Sequence, residues 1–525
     1  MAIPVTQRAK VADHATPSGR LVLSILARSL VRCLGDVNDV ERLLRALPTD
    51  VVSDPALTSL RALLAEEPSR GAVWPTLDAS RLCAMADPAA FERVAVLFNL
   101  VQQTGMRMPA LTFQAVPALY GLVVKALPLF SAITIDDLIP IPQVWRRVVL
   151  PAHTKVTGGF YSASSVDEFA AWAANMIELN LVDADGSTWQ GIAHLLQSCP
   201  KLCSISYVSR AVVDMAPFDD DITAFCSALA NSRLETLRLT KLIATPHALK
   251  ALAHALLRSK TLANITIYMM SELWDHLLME GGPPLPVQLT SVDVASISAV
   301  NVMRLVTKLT RTRLRTLQIR EAIDVTDAVM TLDCLPELTS LTIHHAVLFN
   351  FPQLTRLRHL DVMSATVNSA TMTAIGQLMA TSSALETVNV QNCFYLEGSS
   401  DAMLRALPDF FCRSGTALTL DVTGSQSAAA LAQVMTRSRN TAEVTLHVFE
   451  EQMPLDAIYG LLDALARCTR MTLIVEGDSD ESDLLVFRAE TLGLQPVLDV
   501  VPLRDAETDP LYRLRCKSPI GRVEE

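Results

Sequence analysis

The sequence predicts an α/β solenoid, in which short parallel strands stack beside one another and helices cover one side of the stack. Two observations indicate this fold: one apolar strand template recurs along most of the chain, and helical segments lie between its copies. The composition agrees, because 50% of the 525 residues are hydrophobic and only 5% are aromatic. Thin, repeated layers of small aliphatic side chains can be built from such a composition.

The strand template is clearest in Arg233–Leu242, where apolar residues follow the spacing Leu234-x-x-Leu237-x-Leu239. Alternation of this kind directs one face of a strand to a core and the other face to solvent. Copies of the template begin at residues 176, 202, 234, 262, 289, 314, 338, 357, 385, 417, 441 and 468. Their spacing, about 26 residues on average, is typical of a repeat that contains one strand and one helix.

Helices are predicted between the strands. In one such segment Thr245 and Pro246 form a helix start signal, and Leu249, Leu252 and Leu256 then follow at helical spacing. The other connectors show the same pattern of apolar residues. We therefore expect a parallel sheet on the concave side of the solenoid and helices on its convex side.

One connector is too short for a full helix. The template copies that begin at Leu338 and Leu357 are 19 residues apart, and Pro352 interrupts the segment between them. Because proline disfavours a helix interior, the sequence predicts that the helical layer is thin at this repeat.

The array resembles the leucine-rich repeats of the ribonuclease-inhibitor-like and F-box-associated types, over residues 166–500 and about 12 repeats. The segment Leu195–Ile205 resembles their Cys-Pro-x-Leu helix-end junction, and Cys393 lies where the cysteine-containing subtype places its cysteine. This resemblance implies a protein-binding solenoid. Most repeats depart from the family at the turn, where Asn or Cys normally satisfies the backbone; the residues found there include Leu242, Ile297, Ala322, Ala346, Ala365 and Ser425.

Residues 19–165 lack the template and are predicted to form an α-helical N-terminal domain, preceded by a flexible N-terminus at residues 1–18. Residues 501–525 are predicted to be a C-terminal tail. The apolar stretch Met108–Ile133 is interpreted as buried helices joined by proline turns, because three prolines interrupt it. Its longest uncharged part is also shorter than the roughly 20 residues that a membrane-spanning helix needs.

The start of this helical region is similar to an F-box, the module that docks on a Skp-type adaptor of a cullin ubiquitin ligase. A helix around Ile25 and Leu26, a short acidic turn and a second helix led by Asp39 carry the similarity. The similarity implies an adaptor-docking surface made of Leu23, Ile25, Leu26, Val40, Leu43 and Leu44. A plain helical cap on the open end of the solenoid explains the same apolar pattern, so both interpretations stay open.

Charge and cysteine usage narrow the class of partner. The formal net charge of −11 disfavours nucleic-acid binding, because phosphate neutralisation requires a basic surface. The ten cysteines include no C-x-x-C pair, and the N-terminus has no apolar signal segment. We therefore expect reduced cysteines, a cytoplasmic or nuclear location, and neither membrane nor nucleic acid among the partners.

No catalytic motif is found. The sequence lacks phosphate-binding glycine loops, the H-E-x-x-H metalloprotease motif and the G-x-S-x-G elbow, so it predicts neither an enzyme nor a cofactor or metal. His344, His359 and Asp361 are an exception to weigh, since neighbouring strands could bring them to one face of the sheet. We interpret them as solvated polar residues, and an enzyme with an unrecognised site there is the alternative.

The sequence therefore predicts a non-catalytic scaffold whose concave sheet binds a protein. The predicted contact residues on that sheet are Arg238, Tyr268, Arg320, His344, His359 and Asp361. The more specific hypothesis is an F-box-like substrate receptor of a cullin ubiquitin ligase. The alternative is a free-standing ribonuclease-inhibitor-like binder with a helical cap and no connection to a ligase.

Overall fold

The fold is described from a computed structural model of the 525-residue chain. The chain divides into two compact units, Met1–Thr261 and Leu262–Glu525. The structure describes residues 37–47, 55–65, 76–78, 108–113, 124, 127–135, 148–160, 172, 174–182, 188–209, 212–214, 216–396, 401–404, 406–422, 424–437, 441–449, 453–477, 482–501 and 511–518.

The first unit is built on parallel strands. Its strands are β1 (Thr76–Asp78), β2 (Met108–Phe113), β3 (Phe130–Ile135), β4 (Lys155–Phe160), β5 (Met176–Val182), β6 (Ser204–Val208), β7 (Val213–Asp214), β8 (Thr236–Thr240) and β9 (Leu242–Ile243). Its α-helices are α1 (Val37–Ala46), α2 (Pro55–Ala65), α3 (Thr188–Ser198), α4 (Asp219–Ala230) and α5 (Pro246–Arg258). Strands β1 to β6 pair in chain order, β8 follows β6, and β7 pairs separately with β9, all in parallel.

The prediction of an α-helical domain over residues 19–165 is wrong at four described segments, each of which forms a strand. Strands β1 to β4 lie in that range and continue the parallel sheet upstream of the predicted first repeat. The stretch Met108–Ile133, which was expected to form buried helices, contains β2 and most of β3. In a short apolar run, periodicity alone does not distinguish a strand from a segment of buried helix.

The predicted helices before Thr76 are present where the structure describes them. Helices α1 and α2 contact each other, and both bury apolar residues. Val40 and Leu44 of α1 and Leu57, Leu60 and Leu64 of α2 are at most 2% exposed. Both helices therefore bury apolar side chains.

The second unit repeats the strand–helix pattern with a regular register. Its strands are β10 (Asn264–Tyr268), β11 (Ser291–Ala295), β12 (Thr316–Arg320), β13 (Ser340–His344), β14 (Val347–Leu348), β15 (His359–Met363), β16 (Thr366–Val367), β17 (Thr387–Gln391), β18 (Phe394–Tyr395), β19 (Ala417–Val422), β20 (Glu443–Phe449), β21 (Met471–Gly477), β22 (Gln495–Val501) and β23 (Leu511–Lys517). Its α-helices are α6 (Ser271–Leu277), α7 (Ala299–Leu309), α8 (Thr326–Met330), α9 (Ser369–Thr381), α10 (Asp401–Leu404), α11 (Leu407–Phe411), α12 (Ser425–Arg437), α13 (Leu455–Leu465) and α14 (Ser482–Thr491).

The main sheet of this unit runs through β10, β11, β12, β13, β15, β17, β19, β20 and β21 in parallel. The predicted fold class, an α/β repeat solenoid, is thus confirmed. The template residues are the core: Leu314, Leu317 and Ile319, for example, are each at most 2% exposed. Burial of one such side chain contributes about 1.5–3 kcal/mol.

One template copy was placed two residues too late. Strand β17 aligns Thr387 with Ala417, and Thr387 is the third residue of its template. Ala417 is therefore a third position as well, and the copy begins at residue 415 rather than 417. The error arose because Leu418 and Leu420 fit the apolar alternation in either frame, and only the strand pairing distinguishes the two.

The turns after seven strands, β8, β10, β11, β12, β13, β15 and β17, each have a left-handed backbone on a residue other than glycine. Lys241, Met269, Ser296, Glu321, His345, Ser364 and Asn392, each directly following its strand, have φ between 51° and 57°. This conformation costs about 1–2 kcal/mol for an L-residue. It persists because a backbone hydrogen bond holds the turn, as when the N–H of His345 donates to the carbonyl of Met363 at 3.0 Å.

These turns show how the backbone is satisfied without the asparagine or cysteine ladder. The N–H groups of Ser296, Glu321 and Ser364 also donate to the last strand residue of the next repeat, at 2.9–3.1 Å. Strands β14, β16 and β18 then form a second, smaller parallel sheet. Hydrogen bonds between the backbones of neighbouring repeats therefore satisfy turn N–H groups in place of the missing Asn or Cys side chains. The thiol of Cys393 also lies near the backbone of the preceding repeat, with its Sγ 3.7 Å from the carbonyl oxygen of Val362.

Two further expectations have clear outcomes. No helix lies between β14 and β15, where every residue is described, so the predicted thinning of the helical layer is confirmed. The predicted C-terminal tail over residues 501–525 is wrong at Leu511–Lys517. This segment is β23, which pairs antiparallel with both β21 and β22 and buries Leu514 and Cys516.

Two general properties concern the residues that the structure describes. None of their helices has the length and apolar character that a membrane span requires. Their eight cysteines are all free of disulfides, and burial raises the pKa of several of the thiols. The raised values are about 11 for Cys199 and Cys468 and about 12 for Cys226, Cys393 and Cys516.

The left-handed turn at His345 makes a prediction about stability. Replacement of His345 by Gly should leave the free energy of unfolding unchanged or raise it by up to about 1 kcal/mol, because glycine adopts positive φ without steric cost. Replacement by Pro should lower it by about 3 kcal/mol or more, because proline requires negative φ and removes the N–H that bonds to Met363. Denaturant unfolding of the two variants measures both effects. A His345→Gly variant that is less stable than the parent would contradict the backbone assignment.

Candidate functional site

The outward face of the main sheet in the second unit carries rows of polar side chains. Strand alternation buries the template residues and directs the intervening residues outward. Strand register then aligns equivalent positions of neighbouring repeats. One row consists of Thr266, Asp293, Gln318, Thr342, Asp361, Asn389 and Thr419. The row at the strand ends consists of Tyr268, Ala295, Arg320, His344, Met363 and Gln391.

Tyr268, Asp293 and Arg320 form a cluster that we call the tyrosine–arginine platform. The Tyr268 hydroxyl donates to Asp293 Oδ2 at 2.5 Å, and Arg320 Nε lies 3.4 Å from Asp293 Oδ1. The guanidinium carbon of Arg320 is 5.5 Å from the centroid of the Tyr268 ring, within cation–π distance. Arg320 Nη2 also donates to Gln318 Oε1 at 2.6 Å. The aromatic ring and the cation are thus held in place before any partner arrives.

The sheet register explains why two residues from non-adjacent strands meet in this platform. Tyr268, Ala295 and Arg320 are neighbours in one row, with Ala295 in the middle. The small methyl group of Ala295 leaves room above the central strand, and the two long side chains lean across it. A bulkier residue at position 295 would separate Tyr268 from Arg320.

A second cluster lies further along the same face. His344 Nε2 is 2.9 Å from Asp361 Oδ2, and Asn389 Nδ2 donates to Asp361 Oδ1 at 2.8 Å. The carboxylate therefore orients both the imidazole and the amide. In a hydrolytic triad the nucleophile is hydrogen-bonded to Nε2 of the histidine and the carboxylate to Nδ1, whereas here the carboxylate of Asp361 lies at Nε2 of His344.

His359 does not join this cluster. Its Nδ1 is 2.7 Å from Thr387 Oγ1, and its Nε2 is 3.8 Å from Glu386 Oε2. Strand β15 begins at His359, so its side chain lies at the other end of the strand from the row that holds His344. Among the described residues, no three His, Cys, Asp or Glu side chains converge as metal ligands would.

The remaining predicted site residues are dispersed. Arg238 is exposed on β8 of the first unit, and so belongs to neither cluster of the second unit. Of the predicted adaptor-docking residues, Val40 and Leu44 are buried and Leu43 is half-buried. Leu23, Ile25 and Leu26 lie outside the described residues. Adaptor docking stays a prediction, and Leu43 is the α1 residue among the predicted set whose side chain is accessible for it.

The sequence analysis did not select Asp293, Gln318 or Asn389, which hold the two clusters together. A signal was available, because Asp293 and Asp361 each take the fifth template position beside a repeat that carries a long basic or imidazole side chain. Recognition of that signal needs the register between repeats, because the partners are 17 to 28 residues apart in sequence.

Asp421, on β19, is an ionisable residue buried in the same unit. It is 3% exposed, and its carboxylate accepts a hydrogen bond from the backbone N–H of Asn392. Burial raises the pKa of Asp421 to about 6; the bond from Asn392 opposes this shift, and the charge of Glu476 adds to it. In the earlier repeats a strand carbonyl accepts the equivalent turn N–H. At this turn the ionisable carboxylate of Asp421 therefore accepts the hydrogen bond that a backbone carbonyl accepts in the earlier repeats.

The raised pKa gives a pH-dependent contribution to stability. The pKa of Asp421 is about 6 in the folded chain and 3.8 for an ordinary aspartate. Between pH 3.8 and pH 6 the folded chain therefore keeps a proton on Asp421 that the unfolded chain has released. Stability from this group is therefore present at low pH and lost as pH rises through 6.

Replacement of Asp421 by Asn keeps an acceptor for Asn392 and removes the buried charge. The free energy of unfolding of this variant, relative to that of the parent, should rise between pH 4 and about pH 6 and stay constant up to pH 8. The rise should be up to about 3 kcal/mol. Thermal unfolding across this range measures the difference, and a difference that does not change with pH would contradict the burial of the charge.

Comparison with known proteins gives distant similarities only. No family model and no curated protein matches the sequence. Among solved structures, the chain is similar to a crystal structure of the Rad7 and Elc1 complex in yeast, with 10% identity over 84% of this chain and 92% of that chain and a TM-score of 0.40. It is also similar to the TLR13–ssRNA13 complex, with 13% identity over 75% of this chain and 61% of that chain and a TM-score of 0.34. The functional proposals below therefore depend on the geometry of this chain alone.

Proposed function

We propose that the protein is a non-catalytic scaffold that binds a protein partner on the outward sheet face of its second unit. The tyrosine–arginine platform supports this proposal most directly. Tyr and Arg are enriched among the residues that dominate binding energy at protein interfaces. Here Asp293 and Gln318 already restrain both side chains, so binding costs less conformational entropy than it would for free side chains.

The rest of the sheet face suits a protein surface as well. The row that contains Thr266, Gln318 and Asn389 offers hydroxyl and amide groups that can both donate and accept hydrogen bonds. The net charge of −11 disfavours nucleic acid as the ligand. Absence of enzymatic activity and of a cofactor is part of this proposal. A cytoplasmic or nuclear location is part of it as well, in keeping with the eight described cysteines, which are free of disulfides.

A paired-variant capture experiment tests the role of the platform. The full-length protein is compared with a Tyr268→Ala/Arg320→Glu double variant and with an Arg304→Glu control, in which the changed residue is exposed on helix α7. Bound proteins are quantified by mass spectrometry after both variants have been shown to melt like the parent. We expect at least one partner to bind the parent and the control and to lose about tenfold or more with the platform variant, since one hot-spot residue contributes about 2 kcal/mol or more. If the double variant retains every partner, the platform is not the binding site.

A finer proposal concerns the N-terminal helices. We propose that α1 and α2 belong to an F-box-like module and that the protein acts as a substrate receptor of a cullin ubiquitin ligase. The observations that support this are the half-buried Leu43 on α1, the contact between α1 and α2, and the buried apolar residues of both helices. A free-standing binder, in which the same helices only cap the solenoid, is the alternative.

Substitution of Leu43 separates these two functions. Leu43→Asp should abolish binding of the full-length protein to a purified Skp-type adaptor, measured by calorimetry, because a charge would be buried in the docking surface. Arg42→Asp, at an exposed neighbouring position on the same helix, serves as a control for general effects of negative charge. If the unmodified protein does not bind the adaptor, the ligase connection is wrong and the free-standing binder remains.

A further inference from the structure

Strand β22 is an open edge of the sheet in the second unit. It pairs antiparallel with β23, which lies between β22 and β21. Within the described part of the chain, no strand pairs with the other side of β22. The strand is seven residues long, from Gln495 to Val501, and so offers a longer edge than the two-residue strands of the smaller sheet.

Two of the exposed side chains of this edge are apolar. Val497 is 51% exposed and Leu498 is 43% exposed, on opposite faces of the strand. Edge strands in proteins are commonly protected by lysines, bulges or a cover of helix or loop. Here Pro496 protects only the beginning of the strand, and Asp499 is the charged residue that follows.

Pro496 also indicates which backbone groups face the open side. Proline lacks an N–H, so a sheet accommodates it where that position points away from the neighbouring strand. Because backbone groups alternate in direction, Leu498 and Val500 then direct their N–H and C=O groups to the open side as well. The edge therefore presents the carbonyl of Pro496 and both polar groups of Leu498 and Val500.

Two charges near this edge have no ion-pair partner among the described residues. Arg513 lies opposite Asp499 in the register, but Arg513 Nε is committed to Glu476 Oε1 at 2.6 Å. Arg515 lies opposite Val497 and makes no salt bridge in the described structure. Asp499 on β22 and Arg515 on β23 therefore lie on the same face of the sheet, offset by two residues in the register.

We propose that the protein forms a symmetric dimer in which β22 pairs antiparallel with β22 of a second copy. A two-fold axis at Leu498 places Leu498 opposite Leu498 of the second copy, and Asp499 opposite its Val497. Since Val497 neighbours Arg515, Asp499 of each copy then lies within reach of Arg515 of the other. This register also aligns the open backbone groups and forms four hydrogen bonds between the copies.

The dimer is self-complementary in charge, in backbone pairing and in apolar contact, as a two-fold interface must be. A contact of one strand per copy buries less area than a permanent dimer interface does. The association is therefore concentration-dependent, and the apparent thermal stability of the chain rises with protein concentration.

Sedimentation equilibrium of the full-length protein tests the proposal over the micromolar to submillimolar range. The weight-average mass of the parent should rise from 57.1 kDa towards twice that value. Asp499→Arg and Arg515→Asp should each hold the protein at the monomer mass, and the double variant Asp499→Arg/Arg515→Asp should regain the dimer. Asp456→Arg, an exposed charge change on helix α13, should behave like the parent.

Thermal melting of each single variant distinguishes loss of pairing from loss of folding, and recovery of the dimer in the double variant identifies the charge pair. Leu498→Pro adds an independent check, since it removes the two central hydrogen bonds and should abolish the dimer. A parent that stays monomeric at every concentration overturns the proposal. A dimer that persists in Asp499→Arg and Leu498→Pro places the interface elsewhere and overturns it equally.

Discussion

Parallel backbone pairing between successive repeats is the interaction on which the described structure depends. Each strand of the second unit aligns residue by residue with the next, and each following turn continues the pairing through a left-handed residue. The left-handed turns after β11, β12, β13 and β15 cost conformational energy, yet the N–H of each donates to the last strand residue of the next repeat. A repeat therefore cannot be stable alone, and its turn is stable only beside its neighbours.

The same register creates the candidate binding surface. Tyr268 and Arg320 belong to strands that do not touch each other, and they meet because Ala295 between them is small. His344 and Asp361 meet across two directly paired strands. Both clusters form because the strand register aligns equivalent positions of neighbouring repeats, so the residue type at each position decides which side chains meet. At the last repeats the parallel register ends, and the antiparallel strands β22 and β23 leave an edge whose polar groups a second copy would satisfy.

Most of the array could be predicted from sequence, because its core residues recur at fixed spacing. The strands that begin near Leu234 and Leu314, the N-cap at Thr245 and the helix-free connector before Leu357 all follow from local patterns. The strands over Met108–Phe113 and Phe130–Ile135 could not be recognised in the same way. Both strands lie in a mostly uncharged stretch that prolines interrupt, where periodicity alone does not separate a short strand from a segment of buried helix. Strand β23 was missed for another reason. It lies outside the repeat pattern, because the chain reverses direction after β22 and β23 pairs antiparallel with both β21 and β22.

The sequence by itself determined the α/β repeat architecture, because the burial of Leu and Val at strand spacing requires no knowledge of distant residues. It also determined which side chains face outward. The tertiary structure decided which of them meet: His344 reaches Asp361, whereas His359 contacts Thr387 instead. It likewise decided that Val40 and Leu44 are buried and that Asp421 lies in an environment that raises its pKa. These outcomes depend on the alignment of one repeat with the next, which is a property of the paired strands and not of any single segment.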